Sequence, residues 1–163
     1  MDEEGVPVHY LAAEDNERRL KSRIQQVFPF GVKHVTYHAV MSSERALPRG
    51  LDALDHIERV AKATSSKCII VDTIQSLLVP NATNKNYDTT VEEYDNLRKL
   101  AHKLHIAIIV VHHCKKTTDI SSAPLEKVLG SIGITSTVET ILVMEQLTGK
   151  QDCKLTVTGK DVE

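Results

Sequence analysis

The segment Lys67-Cys68-Ile69-Ile70-Val71-Asp72 decides the fold class of this chain. It is an apolar run closed by a carboxylate, which is typical of a strand that is buried on both faces of a parallel sheet. A second segment of this kind, residues 106–111, runs into His112-His113. Amphipathic helical stretches precede both segments, so strand and helix alternate along the chain. We therefore predict a three-layer α/β fold with a mostly parallel central sheet.

The remaining elements follow from apolar periodicity and turn residues. Further strands are predicted at residues 6–12, 34–38, 140–144 and 154–158, the last two as a hairpin across Thr148-Gly149-Lys150. Helices are predicted over residues 20–28, 51–61 and 91–104, and residues 132–138 form a short helix or a loop. Polar loops are predicted at residues 80–90 and 114–130, and the second of these is long enough to be mobile.

Composition indicates a soluble globular protein. With 163 residues, 41% of them hydrophobic, the chain has enough material for one core, so residues 1–163 are predicted to form a single domain. No apolar run approaches the roughly 18 residues of a membrane span, so no membrane contact is expected. The acidic start at Met1-Asp2-Glu3-Glu4 does not resemble a secretory signal. The three scattered cysteines do not suggest a disulfide framework, and we expect a cytoplasmic protein.

Three of the predicted strands end in polar groups, namely Glu14-Asp15, Asp72-Thr73 and His112-His113. Ligands of open parallel sheets bind at the carboxyl ends of the strands, so these groups are the candidate site. Each also has an ordinary structural explanation: a carboxylate complementing a helix dipole, a turn cap, or a backbone-bonded histidine pair. Metal binding by the histidines with Cys114 is disfavoured, because adjacent strand side chains point to opposite faces.

Five segments, taken in chain order, carry a family resemblance. They are residues 8–20 (VHYLAAEDNERRL), 69–73 (IIVDT), 109–116 (IVVHHCKK), 130–133 (GSIG) and 159–163 (GKDVE). Together they resemble the RepA-like branch of RecA-type ATPases, which includes hexameric plasmid replicative helicases and many AAA-type phage and plasmid proteins. The resemblance implies a RecA-like P-loop NTPase core that uses ATP and Mg²⁺, with a role in DNA unwinding or the remodelling of DNA complexes.

The resemblance also implies roles for individual residues. Glu14 would be the base that orients the water attacking the γ-phosphate. Asp72, which ends a strand resembling a Walker B strand, would serve the magnesium site, with Thr73 beside it at the nucleotide. His113, or else His112, would sense the γ-phosphate and couple hydrolysis to the loop that follows.

Contacts with partners are implied for four lysines. Lys160 stands where the family commonly carries an arginine and would reach the phosphates of the neighbouring subunit of a hexamer, although lysine lacks the planar fork of arginine. In the loop after the second apolar strand, Lys115, Lys116 and Lys127 would contact the phosphates of single-stranded DNA. The net charge of −2 offers no general attraction to nucleic acid, so such binding depends on this local basic patch.

The departure from the family is the phosphate-binding loop. No G-x-x-x-x-G-K-[ST] motif occurs in the 163 residues, and the family would place it just upstream of Val6. We therefore interpret the chain as an N-terminally truncated or partial ATPase domain that by itself binds ATP weakly or not at all. Two other interpretations stay open: an inactive assembly or DNA-binding module, and a phospho-acceptor receiver domain using Glu14, Asp15, Asp72 and Lys115.

Overall fold

A computed structural model describes residues 5–31, 33–39, 48–77, 87–113, 131–146 and 152–160. The strands are β1 (Val8–Ala12), β2 (Val35–Ala39), β3 (Cys68–Asp72), β4 (Ala107–Val110), β5 (Thr140–Gln146) and β6 (Cys153–Gly159). The helices are α1 (Glu17–Val27), α2 (Leu51–Thr64), α3 (Tyr87–Leu104) and α4 (Ser131–Thr137). Strand and helix alternate from β1 to β4, as the sequence predicts.

The central feature is a parallel sheet of four strands in the order β2-β1-β3-β4. Both β1 and β4 pair with β3, with Ala12 opposite Asp72 and Val71 opposite Val110. The predicted α/β fold with a mostly parallel sheet is therefore confirmed. Parallel pairing brings the carboxyl ends of all four strands to one edge of the sheet, which we call the carboxyl edge.

One face of this sheet is well covered. On β3 the side chains of Ile69 and Val71 are fully buried, whereas those of Cys68, Ile70 and Asp72 on the other face are half-buried. Helices α2 and α3 bury a larger apolar stripe than α1, in which Leu20 alone is fully buried among the described residues. The stripe on α2 and α3 consists of Ala53, Ile57, Ala61, Leu97 and Leu100.

The handedness of the connections explains this asymmetry. Going from β1 to β2 the chain crosses the sheet in one direction, and from β2 to β3 and β3 to β4 it crosses in the other. Because such crossovers are right-handed, α1 lies on one face and α2 and α3 lie on the opposite face. The face that carries α1 is therefore thinly covered at its β4 end, where Ile109 is 45% exposed and Val111 is 37% exposed.

Residues are grouped into two compact units, one made of residues 1–82 and 96–112 and the other of residues 83–95 and 113–163. The first unit contains the parallel sheet. The second contains α4 and an antiparallel hairpin, in which β5 pairs with β6 from Thr140 opposite Gly159 to Gln146 opposite Cys153. Pairing of these two strands as a hairpin was predicted, and the predicted turn at residues 148–150 lies outside the described residues.

Helix α3 begins earlier than predicted, at Tyr87, so residues 87–90 belong to a helix and not to the polar loop. This tetrapeptide is polar but contains neither glycine nor proline, so nothing in it stops the amphipathic helix that follows. The predicted mobile loop at residues 114–130 lies outside the described residues. Among the helices that are described, none is long and apolar enough to cross a membrane.

Candidate functional site

The site is positioned by the point at which the sheet reverses its winding. After β1 the chain passes to α1 on one face, and after β3 it passes to the opposite face. Loops that diverge in this way leave a crevice at the carboxyl edge between two neighbouring strands, which is where open parallel sheets bind ligands. Here the two strands are β1 and β3, and the residues that follow them are Glu14 and Thr73.

The end of β1 separates two neighbouring carboxylates. The amide of Ala13 donates to the carbonyl oxygen of Asp72 at 2.7 Å, which keeps the chain beside β3 for one residue beyond the strand. Glu14 is then exposed at the carboxyl edge, whereas Asp15 is buried. Asp15 accepts a hydrogen bond from Arg23 and lies 3.5 Å from Nε of Arg19, so it ties the first turns of α1 to the end of β1.

Thr73 joins the two sides of the crevice. Its side chain is almost fully buried, and its hydroxyl donates to Oε1 of Glu14 at 2.5 Å. The peptide bond that joins Thr73 to Asp72 is cis. Glu14 from β1 and the Asp72-Thr73 pair from β3, which lie 58 and 59 positions apart in the sequence, are therefore neighbours at the carboxyl edge.

Asp72 has a partner that the sequence did not reveal. The hydroxyl of Tyr10 on β1 donates to Oδ2 of Asp72. Burial, and then the hydrogen bond to this carboxylate, raise the pKa of Tyr10 well above its usual range, so Tyr10 is a donor at neutral pH. The strand register contained a signal for this contact: Tyr10 is opposite Ile70, so Tyr10 and Asp72 share a face two residues apart.

The end of β4 brings His112 to the same edge. The amide of Val111 donates to the carbonyl oxygen of Val71 at 2.9 Å, and the carbonyl oxygen of Val111 accepts from the amide of Ile74 at 3.0 Å. His112, half-buried, follows directly and belongs to the first unit. His113 is exposed and is assigned to the second unit, so the structure joins His112, and not the preferred candidate His113, to the unit of Glu14 and Asp72.

The remaining candidates lie elsewhere. Lys160 is exposed at the end of β6 in the second unit, and its amide donates to the carbonyl oxygen of Glu139 at 3.1 Å. Lys115, Lys116 and Lys127, the predicted DNA-binding residues, lie outside the described residues.

A magnesium ion suits the donors at the carboxyl edge better than a transition metal does. Over the described ranges no group of three or more His, Cys, Asp or Glu side chains is placed to hold a metal ion. Mg²⁺ does not require such a cage, because it commonly binds one or two carboxylates together with water and the phosphates of a substrate. The oxygen donors of Asp72, Thr73 and Glu14 fit that pattern.

Comparison with known proteins supports the fold and the family. The model of the AAA domain family matches residues 1–119. No curated protein matches the chain. Among solved structures, an ATPase domain is similar at a TM-score of 0.63 and 12% identity, over 86% of this chain and 60% of that one. A KaiC-like protein from Pyrococcus horikoshii OT3 is similar at a TM-score of 0.54 and 17% identity, over 98% of this chain and 68% of that one.

Proposed function

This chain belongs to the AAA domain family and has the RecA-like ATPase fold, and on that premise we propose that it supplies the base and the magnesium ligand of an ATP-hydrolysing site. Glu14 is the base that orients the attacking water. Asp72 holds the magnesium ion, and His112 or His113 senses the γ-phosphate. When bound, the magnesium ion would neutralise charge on the phosphates and orient them.

The observation that carries this proposal is the hydrogen bond between Thr73 and Glu14. It holds a carboxylate from β1 beside the carboxylate-bearing end of β3, across the crevice where a ligand of this sheet would bind. A base has to be held in position to orient a water molecule, and a buried hydroxyl supplies that restraint. An acid that served only to complement the dipole of α1 would not need a partner on another strand.

We further propose that the phosphate-binding segment lies outside these 163 residues and packs beside β4. Within the described residues β4 pairs with β3 alone, and its neighbouring face is open at Ile109 and Val111. A strand paired to the free side of β4 and leading into β1 would cross the sheet in the same direction as the β1 to β2 connection. Its helix would therefore lie on the face of α1, which is the face that is open.

The proposed partners are single-stranded DNA and other ATPase subunits. Lys115, Lys116 and Lys127 would contact DNA phosphates, and Lys160 would reach the nucleotide of a neighbouring subunit in a hexamer. The chain spans 60% of the solved ATPase domain that it resembles, so these activities are proposed for the complete protein. In that protein the work would be ATP-driven unwinding of DNA or remodelling of a DNA complex.

The test is Mg²⁺-ATP binding and hydrolysis, with and without single-stranded DNA, in wild type, Glu14→Gln and Glu17→Gln. Glu17 is the matched control, because it is an exposed acid on α1 that pairs with Lys21. We expect Glu14→Gln to lower turnover by about 100-fold or more, in the range of an essential acid or base, and Glu17→Gln to leave it unchanged. Equal turnover in all three proteins would remove Glu14 from the mechanism.

Calorimetry tests the position of the phosphate-binding segment. Without backbone amides and a lysine around the phosphates, the 163-residue chain is expected to bind Mg²⁺-ATP more weakly than about 1 mM. Clear binding below that concentration would mean that residues of this chain complete the site, and it would contradict the placement of the segment elsewhere.

A second candidate function is an assembly module without catalysis, which the open face at Ile109 and Val111 favours. This module would associate with related ATPase subunits and would not hydrolyse ATP. A strictly monomeric protein that captures neither an ATPase subunit nor DNA would count against it. The receiver interpretation has its own test, which is labelling with acetyl phosphate: absence of a phosphoryl group on Asp72 would dispose of it.

A further inference from the structure

Tyr10 has a side chain that the proposed reaction does not use directly but that contacts its metal ligand. The phenol lies on the face of the sheet that carries α1, and its hydroxyl donates to Oδ2 of Asp72. The next residue on the other face, His9, is instead occupied by a 2.6 Å hydrogen bond with the hydroxyl of Thr36 on β2. The contact from β1 to Asp72 is thus specific to Tyr10 among the described residues of that strand.

The surroundings keep this contact in one state at neutral pH. Burial favours the neutral phenol, and the charges that act on it come from Asp72, Asp15 and Arg23. A protonated phenol that donates to one carboxylate oxygen restricts rotation of the carboxylate and leaves the second oxygen able to coordinate a cation. Hydrogen bonds of this kind to a ligating carboxylate commonly change metal affinity by about 10-fold to 100-fold.

We propose that Tyr10 is a positioning residue, whose hydroxyl holds the Asp72 carboxylate in the orientation that binds a divalent cation. This rests on the proposed role of Asp72 as the magnesium ligand. Tyr10 itself touches neither the nucleotide nor the reacting water in this mechanism, and its effect passes entirely through the affinity for the metal.

The experiment uses Mn²⁺ alone as the probe, because its unpaired electrons broaden the NMR signals of nearby groups even when binding is weak. The ¹⁵N-labelled chain is titrated with Mn²⁺, and the amide signals of Asp72 and Thr73 are followed in wild type, Tyr10→Phe, Tyr37→Phe and Asp72→Asn. Tyr37 is a matched control, because it is the residue opposite Tyr10 in the β1–β2 register. We expect the Mn²⁺ concentration that half-broadens these signals to rise about 10-fold or more in Tyr10→Phe and to stay unchanged in Tyr37→Phe.

The outcomes separate the two proposals. If Asp72→Asn abolishes the broadening while Tyr10→Phe leaves it at the wild-type concentration, Asp72 is a ligand that does not need Tyr10, and the positioning role is overturned. If Asp72→Asn broadens like wild type, or wild type does not broaden at these amides, the proposed metal site itself fails and the positioning role fails with it. Loss of stability alone would not move the half-broadening concentration of the folded protein.

A second measurement does not depend on the Tyr10 variant. The ring carbon that bears the hydroxyl of Tyr10 is expected to shift its ¹³C resonance in Asp72→Asn, because the hydroxyl loses its charged acceptor, whereas the same carbon of Tyr37 keeps its position. Equal spectra of Tyr10 in the two proteins would show that the contact with Asp72 is absent in solution and would overturn the proposal.

Discussion

Two adjacent carboxylates, Glu14 and Asp15, show how the environment divides residues of similar chemistry into different roles. Asp15 is buried and lies between Arg19 and Arg23 on the helix that follows, so its charge is compensated where water is largely excluded. Glu14 is exposed at the carboxyl edge and accepts the hydroxyl of Thr73. Asp15 therefore anchors α1, and Glu14 is left at the crevice for chemistry.

Tyr94 on α3 gives a prediction at the same scale. Its side chain is 3% exposed, and its hydroxyl has no hydrogen-bond partner among the described residues. A buried hydroxyl without a partner costs desolvation and returns nothing, so Tyr94→Phe is expected to leave the free energy of unfolding at pH 7 unchanged or to raise it by about 1 kcal/mol. Urea unfolding measures this, and a loss larger than about 1 kcal/mol would mean that the hydroxyl is bonded.

The same residue predicts a pH dependence. Burial, and then the charge of Glu93, raise the pKa of Tyr94 above its ordinary value of 10.0. In the unfolded chain the phenol ionises near that ordinary value while the folded protein still holds the proton, so stability is complete below pH 10 and falls as the pH rises further. Urea unfolding at about pH 7 and about pH 10.5 is expected to show a smaller loss in Tyr94→Phe than in wild type. Equal losses would contradict the assignment.

Among the elements, α1 is held by its ends more than by its apolar face. Leu20 alone is fully buried along its described length, whereas the side chain of Asn16 caps the helix by accepting the amide of Arg19 at 2.9 Å. The buried Asp15 adds a second attachment at the first turn through Arg19 and Arg23. A polar helix of this kind positions Glu14 because its start is attached to the end of β1.

The hairpin of β5 and β6 gives a prediction at the scale of the element. Gly159 ends β6, and a methyl group added there would stand 2.7 Å from the carbonyl oxygen of Glu139, closer than real contacts allow. Because backbone cannot retreat as a flexible side chain can, Gly159→Ala is expected to lower the free energy of unfolding of this unit by about 1–3 kcal/mol.

Gly5→Ala is the matched control, because its added methyl group would lie 3.5 Å from the ring of His34 in ordinary contact. Hydrogen exchange of the β5 and β6 amides measures the effect locally. Protection that is equal in the Gly159 and Gly5 variants would mean that the two strands separate at no cost at this end.

For the whole molecule, the degree of burial differs from what the sequence of β4 suggests. Ile109 is 45% exposed, although it lies in an all-apolar strand, whereas Ile69 on β3 is fully buried. We expect Ile109→Lys to change the free energy of unfolding of this chain by no more than about 0.5 kcal/mol, and the matched Ile69→Lys to cost more than about 3 kcal/mol or to prevent folding.

The same pair of variants tests the open surface that we assign to the phosphate-binding segment. Since exposed apolar surface promotes association, Ile109→Lys is expected to shift sedimentation of the 163-residue chain towards the monomer. A wild-type protein that is already monodisperse and monomeric at high concentration would contradict this expectation. Strong destabilisation by Ile109→Lys would show that some other part of the protein covers the face.

Much of the architecture was predictable because it depends on local patterns. The apolar run ending in Asp72 indicated a central strand, and helical spacing indicated α1, α2 and α3, since each pattern needs only the residues of its own segment. The start of α3 at Tyr87 was wrong in the prediction, because a polar first turn resembles a loop when its packing is unknown.

By itself the sequence determined the α/β class, the RecA-like family and the placing of Glu14, Asp72 and His112 at strand ends, because periodicity and strand-end chemistry are written in consecutive residues. Tertiary structure alone decided that Thr73 bonds Glu14, that Tyr10 holds Asp72, and that β4 keeps an open side. These depend on strand order and register, which bring together residues some 60 positions apart, and no single segment of the chain contains that information.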